Sequence, residues 1–239
     1  MYDLLYSSKD YEAEIDYIES FFSAKNTKSS VIDLGCGTGK HAEILVERGY
    51  DVLGIDSSEH MISIAESRSN KYSCKVADIR DFKLHKKFDY AISMFHVVSY
   101  LIDDNDLKSM LICLNEHLNK GGIFIFDTWF SPGVLNNPPE NKIKVLEDKN
   151  INITRFSEPK ASKIKNVVDV NFSIFYKRKD EEKYSFLSEL HSMRHFNIEE
   201  ISQISSECGF ELIKCEEMIS RDEPNESHWS IFFILKKVK

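Results

Sequence analysis

A short segment with three closely spaced glycines, residues 31–40, constrains the fold of this chain more than any other segment. Its sequence is Val-Ile-Asp-Leu-Gly-Cys-Gly-Thr-Gly-Lys, and a second apolar run ends on Asp56, seventeen residues after the last glycine. This succession predicts a strand, a glycine-rich turn, a helix and a second strand that ends in an acid, which is half of a doubly wound sheet. Glycine lets the backbone approach a ligand because it has no Cβ, and a carboxylate at that strand end can hold the hydroxyls of a ribose. The segment therefore predicts a site for a nucleoside-like cofactor.

The spacing of the glycines indicates which cofactor to expect. In a dinucleotide fingerprint the third glycine comes three residues after the second, but here Gly39 comes two residues after Gly37, and Lys40 occupies the dinucleotide position. The turn has no Gly-Lys-Ser/Thr sequence, which excludes a P-loop. The form D-x-G-x-G-x-G, with Asp33 before it and Asp56 behind it, resembles motif I of class I S-adenosylmethionine (SAM) methyltransferases. We therefore expect SAM as the cofactor, with a nicotinamide oxidoreductase or a non-catalytic SAM-binding protein as alternatives.

The remaining pattern predicts an α/β fold. Apolar strands near 31–34, 52–55, 74–77, 90–94 and 123–126 alternate with helical stretches, one of which has leucines over 107–118 and is expected to end at Gly121-Gly122. Such alternation implies a parallel sheet covered on both faces. With two closing strands near 211–216 and 229–235, we expect a doubly wound, mostly parallel, seven-stranded Rossmann-like sheet.

Between about residues 131 and 195 the pattern becomes β-like, with a polar hairpin tip at 178–183. Roughly sixty residues are too many for a loop in a compact domain. We therefore expect an inserted antiparallel β-sheet at 131–195, which covers the substrate or forms a dimer contact, and a SAM-binding core made of 1–130 and 196–239.

Composition restricts the partners. The net charge of −8, from 31 basic and 39 acidic residues, argues against nucleic acid or an anionic membrane. Five cysteines without a C-x-x-C pair favour a reducing cytoplasm over disulfides or a zinc site, so no metal is expected. No apolar run approaches a membrane span, and no signal-like segment opens the chain. We expect a cytoplasmic protein that acts on a small molecule.

Ligands of doubly wound sheets bind beyond the carboxyl ends of the parallel strands, so the residues that leave each strand are the site candidates. We expect Asp56 to bind the ribose, Asp78 to bind the adenine amine and Ile79 to cover the face of the adenine ring. The alternatives are that Asp78 caps the next turn and that Met94 packs in the core. The expected cofactor-binding residues are Tyr6, Lys9, Tyr11, Asp33, Gly35, Cys36, Gly37, Asp56, Ser57, Met61, Asp78, Ile79 and Met94.

His96 is the main catalytic candidate, because an amine or hydroxyl must lose a proton when it attacks a methyl group, and histidine can accept it near neutral pH. Its alternative role is orientation of the substrate or packing at the strand end. Tyr100, Trp129 and Arg194 are expected to contact the substrate, although Arg194 could also decorate a solvated strand face. The N-terminal residues 2–11 contain three tyrosines and a lysine, which favours a covering segment over a frayed terminus.

Several segments together resemble a known family. They are the N-terminal pattern Y-D-L-x-Y with K-D-Y, the turn D-x-x-C-G-T-G, SMFHVVSYL at 93–101, HLNKGGIFIFDTWFSPGVL at 117–135 and FNIEEISQISSECGFEL at 196–212. This order resembles the dTDP-amino-sugar N-methyltransferases of macrolide pathways, of the desosamine and mycaminose type. The resemblance implies a SAM-binding core, an added antiparallel sheet, a homodimer and methylation of a sugar amine. The resemblance also matches Tyr6 to a tyrosine near the reacting centre of the family, which makes Tyr6 a second catalytic candidate. It matches Lys9 and Tyr11 to the Lys-Asp-Tyr sequence of the family.

Two segments differ from that family. The exit of the fourth strand has His96-Val97-Val98 where the macrolide enzymes have Ser-Ser-Val/Ile, and the loop 220–227 is acidic where theirs is glycine-rich and basic. An acidic loop suits a diphosphate poorly. The acceptor therefore stays open among an amine, a hydroxyl and a sugar unit, including a precursor in surface-polysaccharide biosynthesis.

Overall fold

The computed structural model describes residues 2–22, 29–218 and 220–239. Its strands are β1 (Ser30–Leu34), β2 (Asp51–Asp56), β3 (Ser73–Val76), β4 (Phe88–Ser93), β5 (Leu118–Phe130), β6 (Lys142–Glu147), β7 (Ile151–Ala161), β8 (Val167–Arg178), β9 (Ser185–Phe196), β10 (Phe210–Glu216) and β11 (Ser230–Lys237). Its α-helices are α1 (Tyr2–Leu5), α2 (Tyr11–Glu19), α3 (Lys40–Glu47), α4 (Glu59–Arg68), α5 (Asp104–His117), α6 (Ser131–Asn136) and α7 (Ile198–Glu207).

Seven of these strands form the predicted core sheet. Their order is β3-β2-β1-β4-β5-β11-β10; the first five are parallel, and β11 runs antiparallel to both of its neighbours. From β1 the chain adds β2 and β3 toward one edge of the sheet, and from β4 it adds β5 toward the other. This switch in the order of the strands creates the crevice where ligands bind in doubly wound sheets. The α/β fold class expected from the sequence is confirmed.

Strands β6 to β9 form a four-stranded antiparallel meander. The tip between β8 and β9 lies where the polar run predicted a hairpin, because β8 ends at Arg178 and β9 begins at Ser185. The meander continues the core sheet, since residues 129–130 at the end of β5 pair in parallel with residues 195–196 of β9. This junction places the inner face of the meander beside the carboxyl ends of the core strands.

Two apolar layers cover the core sheet. Alternate residues of β1 point to opposite sides: Val31 packs with α2, α3 and α4, whereas Ile32 and Leu34 pack with α5 and α7. The whole of β1 is buried, as expected for a central parallel strand. The carboxyl edge of a sheet held this firmly is a rigid base for side chains that face a ligand.

One predicted boundary was wrong. Helix α5 ends at His117 and β5 begins at once at Leu118, so Gly121 and Gly122 lie inside β5 and do not end the helix. Gly121 has φ +78°, and a Cβ on Gly122 would come within 2.9 Å of the carbonyl oxygen of Asn119. The two glycines therefore permit an irregularity in the strand pairing. In the part of the chain that the structure describes, no helix is both long and apolar enough to cross a membrane.

Candidate active site

The glycine-rich turn is tied to the end of β2 by backbone hydrogen bonds. The N–H groups of Gly35 and Cys36 both donate to the carbonyl oxygen of Ile55, at 2.8 and 3.0 Å. The N–H of Gly37 donates to Oδ2 of Asp56 at 2.9 Å. The last strand residue and the turn therefore form one rigid unit.

Two glycines of this turn have different surroundings. Gly35 and Gly37 have φ of +75° and +54°, values that favour glycine over other residues. A Cβ on Gly35 would lie 2.6 Å from Val97, whereas a Cβ on Gly37 would meet no atom of the described chain within 4 Å. Gly35 is therefore needed for packing, and Gly37 leaves its backbone open to the space beside Asp56.

That space is a cavity of about 860 Å³, within the range of small-molecule sites. The predicted site residues that line it are Tyr6, Tyr11, Gly35, Cys36, Gly37, Asp56, Ser57, Met61, Met94, His96, Tyr100 and Trp129. A smaller cavity of about 350 Å³ shares Gly35, Asp56, Ser57 and Tyr100 with it and is also lined by Asp78 and Ile79. The two cavities together form a cleft that runs from the end of β3 to the meander.

His96 and Asp127 form an acid–imidazole pair at this cleft. Phe95 and His96 both have left-handed backbone conformations, with φ of +69° and +61°, an uncommon feature outside glycine that concentrates at functional sites. The N–H of His96 donates to Oδ1 of Asp127 at 3.0 Å, and ring atom Nδ1 lies 2.7 Å from Oδ2 in an ionic contact away from the ideal hydrogen-bond direction. The other ring nitrogen, Nε2, is left for a ligand.

Asp127 was missed in the sequence although a signal was present, because it directly follows the predicted fifth strand. It is only 4% exposed. Burial acts to raise the pKa of this carboxyl, but the adjacent ring and backbone N–H of His96 outweigh burial and hold the pKa below its ordinary value. Asp127 is therefore an anion that can fix the imidazole and stabilise the charge it gains with a proton.

A second polar group lies across the cleft, between the helical turn after β4 and the inner face of β9. The hydroxyl of Tyr100 is 2.5 Å from Nδ1 of His191, and Nε2 of His191 is 3.2 Å from Glu189. Burial, followed by the neighbouring Tyr6 and Glu189, raises the pKa of Tyr100 to about 12. Tyr100 is therefore a neutral phenol at neutral pH that can donate or accept a hydrogen bond.

The N-terminal segment forms one wall of the cleft. Tyr2, Leu5, Tyr6 and Tyr11 line the large cavity. Asp3 ties the segment to the glycine-rich turn by accepting a hydrogen bond from the Thr38 hydroxyl at 2.8 Å. The segment therefore closes the side of the site that the sheet leaves open.

The structure places three predicted site residues outside both cavities. Arg194, which was expected to contact the substrate, has a buried guanidinium that binds Asp104, at 2.5 Å, and Glu200. The ammonium of Lys9 lies 2.5 Å from Glu14 and 4.2 Å from the ring centre of Phe95. In both cases a nearby carboxylate competes for the cation, which sequence spacing did not reveal.

Asp33 is the third of these residues and lies beneath the turn. It is 1% exposed, and its Oδ2 atom has no hydrogen-bond partner among the described residues. Burial raises its pKa to about 6, against a smaller opposing effect of His41. A buried acid with an unused oxygen close to the turn is one that a cationic group could approach.

Three comparisons with known proteins agree with this geometry. Residues 31–122 match the family model described as "Methyltransferase domain". A Streptomyces venezuelae protein, described as dTDP-3-amino-3,4,6-trideoxy-alpha-D-glucopyranose N,N-dimethyltransferase, is 35% identical over 135 residues; these make up 55% of this chain and 57% of that protein.

Two solved structures match almost the whole chain. The sugar N-methyltransferase KedS8 of a Streptoalloteichus species has a TM-score of 0.84 at 23% identity, covering 100% of this chain and 93% of that one. A SAM-dependent methyltransferase of Clostridium acetobutylicum has a TM-score of 0.82 at 24% identity, covering 99% and 96%.

Residues 31–122 are therefore similar to a methyltransferase domain, and the chain has the fold of solved SAM-dependent methyltransferases. The resemblance stated from its motifs is confirmed, because its relatives include amino-sugar N,N-dimethyltransferases.

Proposed function

We propose that this protein transfers a methyl group from SAM to the amine of a nucleotide-linked sugar. The proposal depends on one observation: a single cleft has an open glycine turn beside Asp56 at one end and the His96–Asp127 pair at the other. Such a cleft accommodates a nucleoside cofactor and an acceptor that loses a proton. The glycine spacing and the methyltransferase domain both favour this enzyme class over a nicotinamide oxidoreductase.

The cofactor end fits SAM by its chemistry. The Asp56 carboxylate, placed by the Gly37 and Ser58 N–H groups, is the group for the ribose hydroxyls. Asp78 is held by Arg80, so the adenine amine would share its carboxylate with that guanidinium. The remaining residues proposed around the cofactor are Tyr6, Tyr11, Gly35, Cys36, Ser57, Met61, Ile79 and Met94, with Asp33 beneath the turn. When bound, SAM supplies a methyl group on a positively charged sulfur.

The acceptor end supplies a base and a wall of aromatic side chains. His96, oriented by Asp127, accepts the proton of the attacking amine at Nε2. Tyr6, Tyr100 and Trp129 line the same space and restrict the acceptor to poses that face the methyl group. Positioning of this kind is worth up to about 7–11 kcal/mol in model reactions, so a modest base is sufficient.

The nature of the acceptor is proposed from the relatives. The Streptomyces venezuelae protein is named for N,N-dimethylation of a dTDP-linked amino sugar, and a Saccharopolyspora spinosa relative for that of another. We assign the same acceptor class here, with N-methylation ahead of O-methylation and surface-polysaccharide precursors within the class. The net charge of −8 supports a partner other than nucleic acid, and five free cysteines support a cytoplasmic location.

A homodimer belongs to the same proposal. Strand β6 is the outermost strand of the meander, and its side chains Ile143 and Val145 are 66% and 70% exposed. An unpaired strand edge with apolar side chains favours association. Sedimentation equilibrium of the protein and of a Val145→Lys variant tests this, and a monomeric wild-type protein would contradict it.

Binding of the cofactor is tested first. Isothermal titration calorimetry with SAM and with NAD should give heat only for SAM. Asp56→Ala should weaken SAM binding more than about tenfold, since a hydrogen-bonded charged partner is worth about 1.5–3 kcal/mol. Asp51→Ala, at the exposed start of the same strand, is the matched control and should leave affinity unchanged.

Activity is tested with labelled SAM and a dTDP-amino sugar, with mass spectrometry of the product. The expected result is addition of methyl groups to nitrogen. Heat with SAM but no transfer to any amino sugar, amine or alcohol offered would favour a non-catalytic SAM-binding protein. Equal affinity of the Asp56→Ala and wild-type proteins would remove the ribose assignment.

A further inference from the structure

From the inner face of the meander we infer that Arg155, with Lys142 and Ser157, binds the phosphate groups of the acceptor. This inference rests on the proposed function and deepens it, because it names the part of the acceptor that the meander recognises. Hereafter these three residues are called the Arg155 subsite.

The guanidinium of Arg155 is held in place without an acid. The Nη1 atom of Arg155 donates to the Tyr6 hydroxyl at 3.2 Å, and the guanidinium carbon Cζ lies 4.8 Å from the ring centre of Phe172. Among the residues that the structure describes, its Nε atom is buried without a hydrogen-bond partner, and no carboxylate pairs with the group. Arg80 and Arg194, in contrast, each bind two carboxylates.

An arginine in this situation has unused binding capacity. A guanidinium taken partly out of water loses hydration that an anion can replace. Its planar set of N–H donors matches the oxygens of a phosphate in a two-point contact. Rings of Tyr6 and Phe172 on the group restrict its motion and so reduce the entropy lost when a ligand binds.

The strand register adds two further groups to this position. Lys142 of β6 pairs directly with Ser157 of β7, and Arg155 is two residues from Ser157, which puts all three side chains on one face of the meander. All three line the large cavity. An ammonium, a hydroxyl and a guanidinium on one wall are a donor set for phosphate oxygens. Glu140 and Glu189 line the same cavity, and Glu189 pairs across from Phe172 on β9, so the positive charge is confined to the Arg155 end of this wall.

The position of the Arg155 subsite assigns it to the acceptor. Arg155 contacts Phe172 of the meander and Tyr6, which is proposed at both the cofactor and the acceptor, whereas the cofactor end is defined by the glycine turn and Asp56 at the carboxyl ends of β1 and β2. The loop 220–227, whose acidic character suits a diphosphate poorly, contains Asp222, Glu223 and Glu226. The Arg155 subsite therefore provides two cationic side chains, Arg155 and Lys142, that this loop does not.

The test is calorimetric titration of inorganic pyrophosphate and of dTDP into the protein saturated with S-adenosylhomocysteine. Both probes should bind, and Arg155→Gln should weaken dTDP binding at least tenfold, with Arg155→Lys intermediate. Arg178→Gln is the matched control, since Arg178 lies at the exposed end of β8 and pairs with Glu181; it should change affinity less than twofold. Thermal unfolding of each variant verifies that it is folded.

Several outcomes would overturn the inference. The first is that the wild-type protein binds neither probe. The second is that the Arg155→Gln variant binds dTDP as tightly as the wild-type protein does. The third is that the Arg155→Gln variant loses affinity for S-adenosylhomocysteine but not for 5′-methylthioadenosine. The last result would assign Arg155 to the carboxylate of the cofactor. SAM binding and methyl transfer by the wild-type protein are read separately, so failure of the Arg155 subsite and failure of the proposed function give different results.

Discussion

Replacement of Asp33 by asparagine should make the ligand-free protein more stable at neutral pH. The carboxylate is buried, and one of its oxygens has no partner among the described residues. Its pKa is about 6, compared with 3.8 for the free side chain. Because one pKa unit corresponds to about 1.4 kcal/mol, the ionised acid destabilises the folded state by about 3 kcal/mol at neutral pH. Asparagine has a similar shape and no charge, so it removes this cost.

The pH dependence has a definite sign. A pKa that is raised on folding means that the folded chain binds a proton more tightly than the unfolded chain. The favourable contribution of the protonated acid is complete below about pH 4 and is lost as the pH rises through about 6. The stability difference between Asp33→Asn and wild type should therefore be about 3 kcal/mol near pH 7.5 and about 1 kcal/mol near pH 4.5.

Urea unfolding monitored by tryptophan fluorescence at these two pH values measures the difference. Asp51→Asn, an exposed change at the start of β2, is the control and should change stability little at either pH. A difference that is the same at both pH values, or a destabilised asparagine variant at neutral pH, would refute the reasoning. If the acid is retained for the cofactor, the same variant should bind SAM at least tenfold more weakly, a trade-off between stability and function.

The remaining predictions concern the turn and the acid–imidazole pair. Gly37→Ala should cost about 1–2 kcal/mol for its left-handed backbone and weaken SAM binding more than about tenfold by calorimetry, because the methyl group enters the cleft. Gly35→Ala should unfold at a clearly lower urea concentration than Gly37→Ala, because its Cβ would collide with Val97 in addition to the backbone cost. Equal unfolding midpoints for the two variants would contradict this. His96→Ala and Asp127→Asn should each slow methyl transfer about 10²-fold with SAM affinity changed less than twofold, and unchanged rates would leave the pair a structural role. Because the pKa of Asp127 is lowered on folding, its stabilising contribution is present near neutral pH and is lost in acid, so Asp127→Asn should flatten the acid limb of the stability profile.

The local elements of the fold were accessible from the sequence. The glycine turn, the strands beside it and the hairpin tip after Arg178 depend on nearby residues, and the structure has them where the pattern predicted. The end of α5 was not accessible from the sequence, because it depends on how β5 pairs with its neighbours. Gly121 and Gly122 are typical of the end of a helix, but here they lie inside β5, which pairs with β4.

The candidate site also has features that the sequence predicts and features that only the tertiary structure determines. The sequence alone determined the glycine spacing and the acid at residue 56, because backbone access and strand ends follow from neighbours along the chain. Only the tertiary structure decided that Asp127 meets His96, which is 31 residues away, that Arg194 is bound by carboxylates and that Arg155 is free to face the cleft. The physical reason is that the roles of charged side chains depend on burial and on partners distant in sequence, and these are set by how the strands are ordered and paired.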